Sequence, residues 1–248
     1  MIEIRTPEEI DKIRLAGLIT KNVLIVLCKN SFPGRSTLEL DKIAYDVIVN
    51  SGAIPAFKGY RGYPASICTS INDSIVHEIP SDKRIIKHSD IVSYDVGVRY
   101  KDYCADAAIT IGIGEISSLA VKLIDVTRKA LSLGIEKAEE GNRVSDISYA
   151  VQSYVEENGF SVVRQFVGHG IGRAIHEEPE IPNFGSPNKG PRIRQGMIFA
   201  IEPMVNAGGS EAKILNNGWT AVTADGSLSA HFEHTICVKQ GKAEILTA

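Results

Sequence analysis

The sequence predicts an α+β fold in which helices cover one face of a mainly antiparallel sheet, built from two copies of one unit. Three observations carry this expectation. Helix-start signals of the capping-box kind recur, glycines return at a fixed shift, and apolar β-rich runs in both halves end on carboxylates.

Thr6-Pro7-Glu8-Glu9 combines an N-cap threonine, a proline at the first helical position and a glutamate able to close a capping box. Ser36-Thr37-Leu38-Glu39 repeats the box, and Gly52 can end the helix that follows. A third apolar-periodic stretch runs from Leu119 to Ala138, and a fourth follows Gly141 and stops near Gly159. A shift of 107 positions carries Gly34 onto Gly141, Gly52 onto Gly159, Glu39 onto Asp146 and Leu40 onto Ile147. The same shift lays Ser89–Asp95 over Gly196–Glu202, so Asp95 falls on Glu202 at the end of an equivalent apolar run. Four matches at one shift argue for two copies of a helix-helix-strand-strand unit packed about a pseudo-twofold. No Pro/Gly/Ser-rich linker divides them, so residues 1–248 are expected to form a single domain with halves of about 1–114 and 115–248.

A hydrophobic content of 44%, a net charge of −3 and a pI near 6.1 describe an ordinary globular chain, not a nucleic-acid binder with a basic face. The opening Met1-Ile2-Glu3-Ile4-Arg5 does not read as a secretory signal. The longest aliphatic run, Val23–Leu27, is far short of the roughly 20 residues a membrane span needs. Four scattered cysteines (Cys28, Cys68, Cys104, Cys237) without a C-x-x-C point to free thiols in a reduced, cytoplasmic setting.

Chemistry concentrates in the strands. Ile91–Val98, the charged stretch Arg99–Tyr103 and Cys104–Ile111 read as a hairpin. With Lys101-Asp102 at the turn, Asp106 lies opposite Gly97 and diagonal to Asp95; with Tyr100-Lys101 there, Asp95 and Asp106 face each other. Either register puts two carboxylates on one buried face, where their repulsion calls for a divalent cation or a proton. The second half adds His169 among glycines, Glu202 at the end of an apolar run, and Glu233 in Ala230–Val238. One histidine with four carboxylates suits a pair of ions such as Mn²⁺, Fe²⁺, Co²⁺ or Zn²⁺ better than a structural zinc. The chain has no H-E-x-x-H, G-x-S-x-G or Walker loop, so metal-assisted hydrolysis is the chemistry expected.

Taken in order, Asp95, Asp106, His169, Glu202 and Glu233 resemble the five-ligand pattern of the pita-bread metallopeptidases. Gly59–Pro64, Ser70–Asp73, Gly168–Gly172, His176–Pro179 and Asn217–Thr220 are similar to segments of the type I methionine aminopeptidases, and the resemblance spans essentially the whole chain. It implies the internally duplicated pita-bread fold. It also implies release of N-terminal methionine from nascent proteins with a small second residue, by a hydroxide activated between two metal ions. Asp95 would bind one ion, His169 and Glu202 the other, and Asp106 and Glu233 would bridge, with Glu202 as general base. His176 would bond the scissile carbonyl and His77 would guide the substrate near the scissile nitrogen, while His88, His231 and His234 are left as surface or structural groups. A methionine slot would be formed by Phe57, Tyr60, Tyr63, Cys68, Ile175 and Trp219. Phe57 stands where a cysteine is frequent in the family and Ile175 where an aromatic is usual. The partners implied are nascent chains, with transient ribosome contact, and the expected state is a monomer with neither nucleic-acid nor membrane binding. The alternatives are a prolidase-like relative, which usually carries a long extra N-terminal domain, a type II enzyme with its insertion, and a non-catalytic binding module on the same fold.

Overall fold

The computed structural model describes residues 2–248. Four helices appear: α1 Pro7–Asn30, α2 Thr37–Asn50, α3 Ser118–Lys137 and α4 Val144–Glu157. Both predicted capping boxes form. Glu9 donates its N–H to Thr6 Oγ1 and accepts from Thr6 N–H, and Glu39 does the same with Ser36.

Fifteen short strands follow in chain order: β1 Ile54–Pro55, β2 Cys68–Ile71, β3 Ser74–Val76, β4 Ile91–Tyr100, β5 Tyr103–Gly112, β6 Ser161–Val162, β7 Gly168–Gly170, β8 Glu177–Ile181, β9 Ile198–Ile201, β10 Met204–Asn206, β11 Ala212–Ile214, β12 Ala221–Thr223, β13 Ser229–His231, β14 Glu233–Cys237 and β15 Glu244–Ile245. Nine of them make one sheet whose path runs β1-β4-β5-β14-β9-β7-β8, with β2 also on β4 and β15 on β14. Every described pairing is antiparallel. Two three-stranded sheets, β13-β10-β6 and β11-β12-β3, lie beside it.

Strand periodicity separates the two faces. Val92, Tyr94, Val96 and Val98 of β4 pack under Leu27 of α1 and Leu40, Ala44 and Ile48 of α2. Phe199 and Ile201 of β9 and Ile236 of β14 pack under Leu131 and Ile135 of α3 and Ile147 of α4. The intervening residues Asp95, Gly97 and Ala200 therefore point away from the helices. The fold is the predicted α+β pita-bread arrangement.

The 107-residue shift recurs in the backbone. Residues 37–50 and 144–157 are both helices. Gly34 N–H bonds Ile86 C=O, and Gly141 N–H bonds Ile193 C=O; the reciprocal bonds Ile86 to Arg35 and Ile193 to Asn142 also match. Gly34, Gly52, Gly141 and Gly159 all have left-handed φ, which explains why glycine recurs there. The copies differ where the second is cut short: Asp95 lies inside the ten-residue β4, whereas Glu202 stands one residue beyond β9.

The sheet forks at Thr235. Strand β14 pairs with β5 through Glu233 and His234, then with β15 through Ile236 and Cys237. At the branch the Thr235 hydroxyl accepts from Asp106 N–H at 2.9 Å and donates to Asp106 C=O at 2.8 Å, standing in for a missing rung.

Candidate metal centre and substrate cavity

The hairpin takes the first of the two registers, with Gly97 opposite Asp106. Lys101 and Asp102 form its turn at φ of 47° and 67°, the left-handed pair of a two-residue hairpin loop. Cys68, Asp95, Ala108 and Glu233 then form one row across four strands. Ala108 between the two carboxylates is only a methyl group, so nothing blocks the space they share. Asp106 follows two residues before Ala108, on the same face. His169 pairs with Ala200 on the next strand, and Glu202 comes two residues further along.

All five predicted ligands converge. One ligand atom each from Asp106, His169 and Glu233 lies within 4.8 Å of the others. His169 Nε2 is 3.5 Å from Glu202 Oε1. His169 Nδ1 meets Gly170 C=O at 2.9 Å; a carbonyl can only accept, so Nδ1 carries the proton and Nε2 presents a lone pair. Asp95 Oδ1, Asp106 Oδ1 and Glu233 Oε1 are buried without any hydrogen-bond partner. Such orphaned carboxylate oxygens are rare in folded proteins, and divalent cations are the groups they fit.

The electrostatics agree. Burial, and then mutual repulsion, push the Asp95, Glu202 and Glu233 carboxyls well above the usual range, and burial pushes Asp106 to about 7. Burial drives His169 down to about 3, so its ring is neutral and able to ligate. A metal-free site must therefore hold protons at neutral pH, and cation binding must expel them. Manganese titrated into the stripped protein is expected to release protons at pH 7 and to bind progressively tighter from pH 5.5 to 7.5, because burial holds the ligand carboxyls protonated above the usual carboxylate range. Calorimetry in buffers of different ionisation enthalpy measures this; affinity that is flat across the range would show the carboxyls to be already ionised.

Above the carboxylates opens a cavity of about 310 Å³. Phe57, Tyr60, Tyr63, Cys68 and Trp219 line it, as do His77 and His176. Ile175 does not: it is buried in the apolar cluster behind that wall, with Ile13, Ile171 and Phe57. Phe57 occupies space that only a glycine at 97 allows, since a Cβ there would sit 2.5 Å from its ring. The Cys68 thiol, beside Asp95 in the ladder, is held protonated by burial and by that carboxylate, so it is a wall residue and not a nucleophile.

His77 follows β3 in a left-handed conformation (φ 59°) that turns its ring edge-on to Phe166, at 5.3 Å between centroids, and burial lowers it to about 4. His176 stacks edge-on to His169 at 4.4 Å, and its Nδ1 lies 2.8 Å from the Tyr60 hydroxyl. Burial and then the Arg61 charge lower its affinity for a proton.

Four residues at the site escaped the sequence reading. Phe166 and Arg61 line the cavity, and Thr235 carries Asp106. His231, left as a surface or structural group, is buried with Nε2 unpartnered and 3.8 Å from Glu202 Oε2. Arg61 lies in the segment Gly59–Pro64, and His231 and Thr235 lie in Ala230–Val238, all singled out for other residues, while Phe166 stands three residues before His169.

Orphaned oxygens packed this tightly around a lone-pair imidazole, on the floor of an aromatic-walled cavity, make the molecule a metal-dependent hydrolase. Comparison with known proteins places it further. The model of metallopeptidase family M24 matches residues 11–240. A methionine aminopeptidase of Clostridium acetobutylicum is 50% identical over 247 residues, covering 100% of this chain and 99% of that protein. The crystal structure of a methionine aminopeptidase from Thermotoga maritima superimposes with a TM-score of 0.98 at 43% identity, covering 100% of this chain and 99% of the other. A prolidase from Pyrococcus furiosus shares the fold (TM-score 0.80, 23% identity), but this chain covers only 65% of it. The chain belongs to metallopeptidase family M24, and within it to the type I methionine aminopeptidases.

Proposed function

We propose that the protein removes the N-terminal methionine from nascent proteins with a small second residue, using two divalent ions held by Asp95, Asp106, His169, Glu202 and Glu233. The observation that carries this reading is the convergence of those five side chains, three with unpaired buried oxygens, under an aromatic-walled cavity. Bound ions supply a hydroxide-like nucleophile at neutral pH and polarise the scissile carbonyl. Manganese, iron, cobalt and zinc all suit the donor set.

The chain's own residues do the rest. Phe57, Tyr63, Cys68 and Trp219 enclose the unbranched thioether, with Ile175 backing the wall. With Nδ1 of His176 accepting from the Tyr60 hydroxyl, Nε2 carries the proton and donates to the carbonyl oxygen as it gains charge. His77, neutral and fixed by Phe166, accepts or donates at the scissile nitrogen. Glu202, the remaining acidic group beside His169, takes the proton of the attacking water. Residues 1–248 would act as one catalytic domain, with halves of about 1–114 and 115–248 contributing ligands to a shared centre. The reading places the protein in the cytoplasm as a monomer that meets ribosomes transiently. Among the described residues no helix is long and apolar enough to cross a membrane.

Chelator-stripped protein given Mn²⁺, Fe²⁺ or Co²⁺ is expected to release methionine from Met-Ala-Ser and to leave Ala-Pro-Ala intact. No release with any of these metals would sink the assignment; cleavage of Ala-Pro-Ala alone would make the enzyme prolidase-like.

A further inference from the structure

Arg61 is the only arginine or lysine among the described residues that line the substrate cavity. It stands at the centre of the single 3₁₀ turn Tyr60–Gly62 with φ 50° and ψ 23°, a left-handed conformation that arginine seldom adopts. Its guanidinium lies 5.3 Å from the centre of the Tyr60 ring, beside the hydroxyl that orients His176. It is exposed, and among the described residues no carboxylate lies within ion-pair distance of it. The neighbouring Lys58 is turned away, over the Tyr45 ring at 4.6 Å. The cavity thus has four carboxylates on its floor and one unpaired cation at its rim, on the His176 side.

We propose that Arg61 reads the third residue of the substrate and favours peptides with aspartate or glutamate there. The inference rests on the aminopeptidase reading, which seats the first side chain in the aromatic slot and turns the scissile carbonyl toward His176. On the same reading, the peptide beyond that carbonyl runs along the wall formed by His176 and Tyr60. Each further residue can advance the chain by about 3.3–3.6 Å, which gives the third residue the reach to meet Arg61 at the rim. A carboxylate arriving there finds a cation with no competing partner, whereas a lysine meets like charge. The guanidinium can bond both carboxylate oxygens at once, a match that an amide at the same position reproduces poorly. Because the pair is exposed, its effect is modest and sensitive to salt: about three- to fivefold in kcat/KM between acid and amide at low ionic strength.

The test uses the metal-loaded enzyme and C-terminally amidated Met-Ala-Asp-Ser, Met-Ala-Asn-Ser and Met-Ala-Lys-Ser, which differ in charge at one position. The expected order of kcat/KM is Asp above Asn above Lys at low salt, with the spread shrinking at about 0.3 M salt. Arg61→Gln is expected to bring the Asp/Asn ratio close to one, and Arg61→Glu to invert it. Each ratio is taken within one preparation, so incomplete folding of a variant does not affect it. Equal rates on the three peptides in the native enzyme, or an Asp/Asn ratio that Arg61→Gln leaves in place, would overturn the proposal. No methionine released from any peptide would instead remove the aminopeptidase reading on which it stands.

Discussion

Glu233→Ala is expected to lower kcat on Met-Ala-Ser at least a hundredfold, equivalent to about 2.7 kcal/mol of lost transition-state stabilisation. The Glu233 carboxylate is buried, 1% exposed, and its Oε1 has no hydrogen-bond partner, the setting of a carboxylate that binds a cation. It shares a row with Asp95, across the methyl group of Ala108. Alanine there removes one of the two predicted bridging ligands and leaves the site unable to hold two ions close together. The variant also separates chemistry from folding. In the metal-free protein Glu233 is one of several crowded acids whose burial and neighbours disfavour the charged form, so its removal relieves that desolvation cost. Thermal unfolding in chelator should therefore show the variant at least as stable as the native protein, with the metal-induced rise in Tm reduced. Near-normal turnover would mean that the ligand set is wrong. A variant unfolded even in chelator would mean that Glu233 serves the core and not the ion.

Gly170→Ala is the second large effect, and it arises from backbone geometry. A Cβ at Gly170 would lie 2.1 Å from the carbonyl oxygen of Glu178 and 2.6 Å from its carbon, both main-chain atoms that cannot rotate away. The β7–β8 register shifts between His169 and Gly170, right beside the ligand histidine. Overpacking of this kind costs about 3 kcal/mol or more when the obstacle is backbone. The Gly170 carbonyl also fixes the His169 tautomer, so its displacement should weaken metal binding as well as folding. Denaturant unfolding of the metal-free variant, followed by metal titration of the folded fraction, measures the two effects separately. Unaltered stability would show that β8 can move aside.

Much of this was legible in the sequence for a physical reason: duplication preserves backbone geometry longer than it preserves side chains. Gly34 and Gly141, like Gly52 and Gly159, stayed glycine because the chain turns through left-handed φ at each. The Asp95/Glu202 equivalence came from that same alignment, and the resemblance supplied His77 and His176. What stayed hidden was set by long-range packing. The resemblance put Tyr60 and Tyr63 at the slot, but nothing in the sequence says that Arg61 between them also lines a cavity floored by β4, β5 and β14. Ile175 sits next to His176 in sequence, yet in the bend that precedes β8 its side chain packs into the apolar cluster behind the wall. Two registers for the 91–112 hairpin were equally legible, and only the positive φ at Lys101 and Asp102 decides between them.

The fork at Thr235 has a mechanical consequence. Elsewhere in the sheet a strand is held by repeated amide-to-carbonyl links whose spacing is rigid. Asp106 instead hangs its N–H and its C=O from one rotatable hydroxyl. On its β14 side the carboxylate predicted to sit between both ions is therefore anchored by a swivel, while the β4–β5 ladder keeps its other side in register. Cations of somewhat different radius can be met by small rotations about one side-chain bond, with no strand displaced.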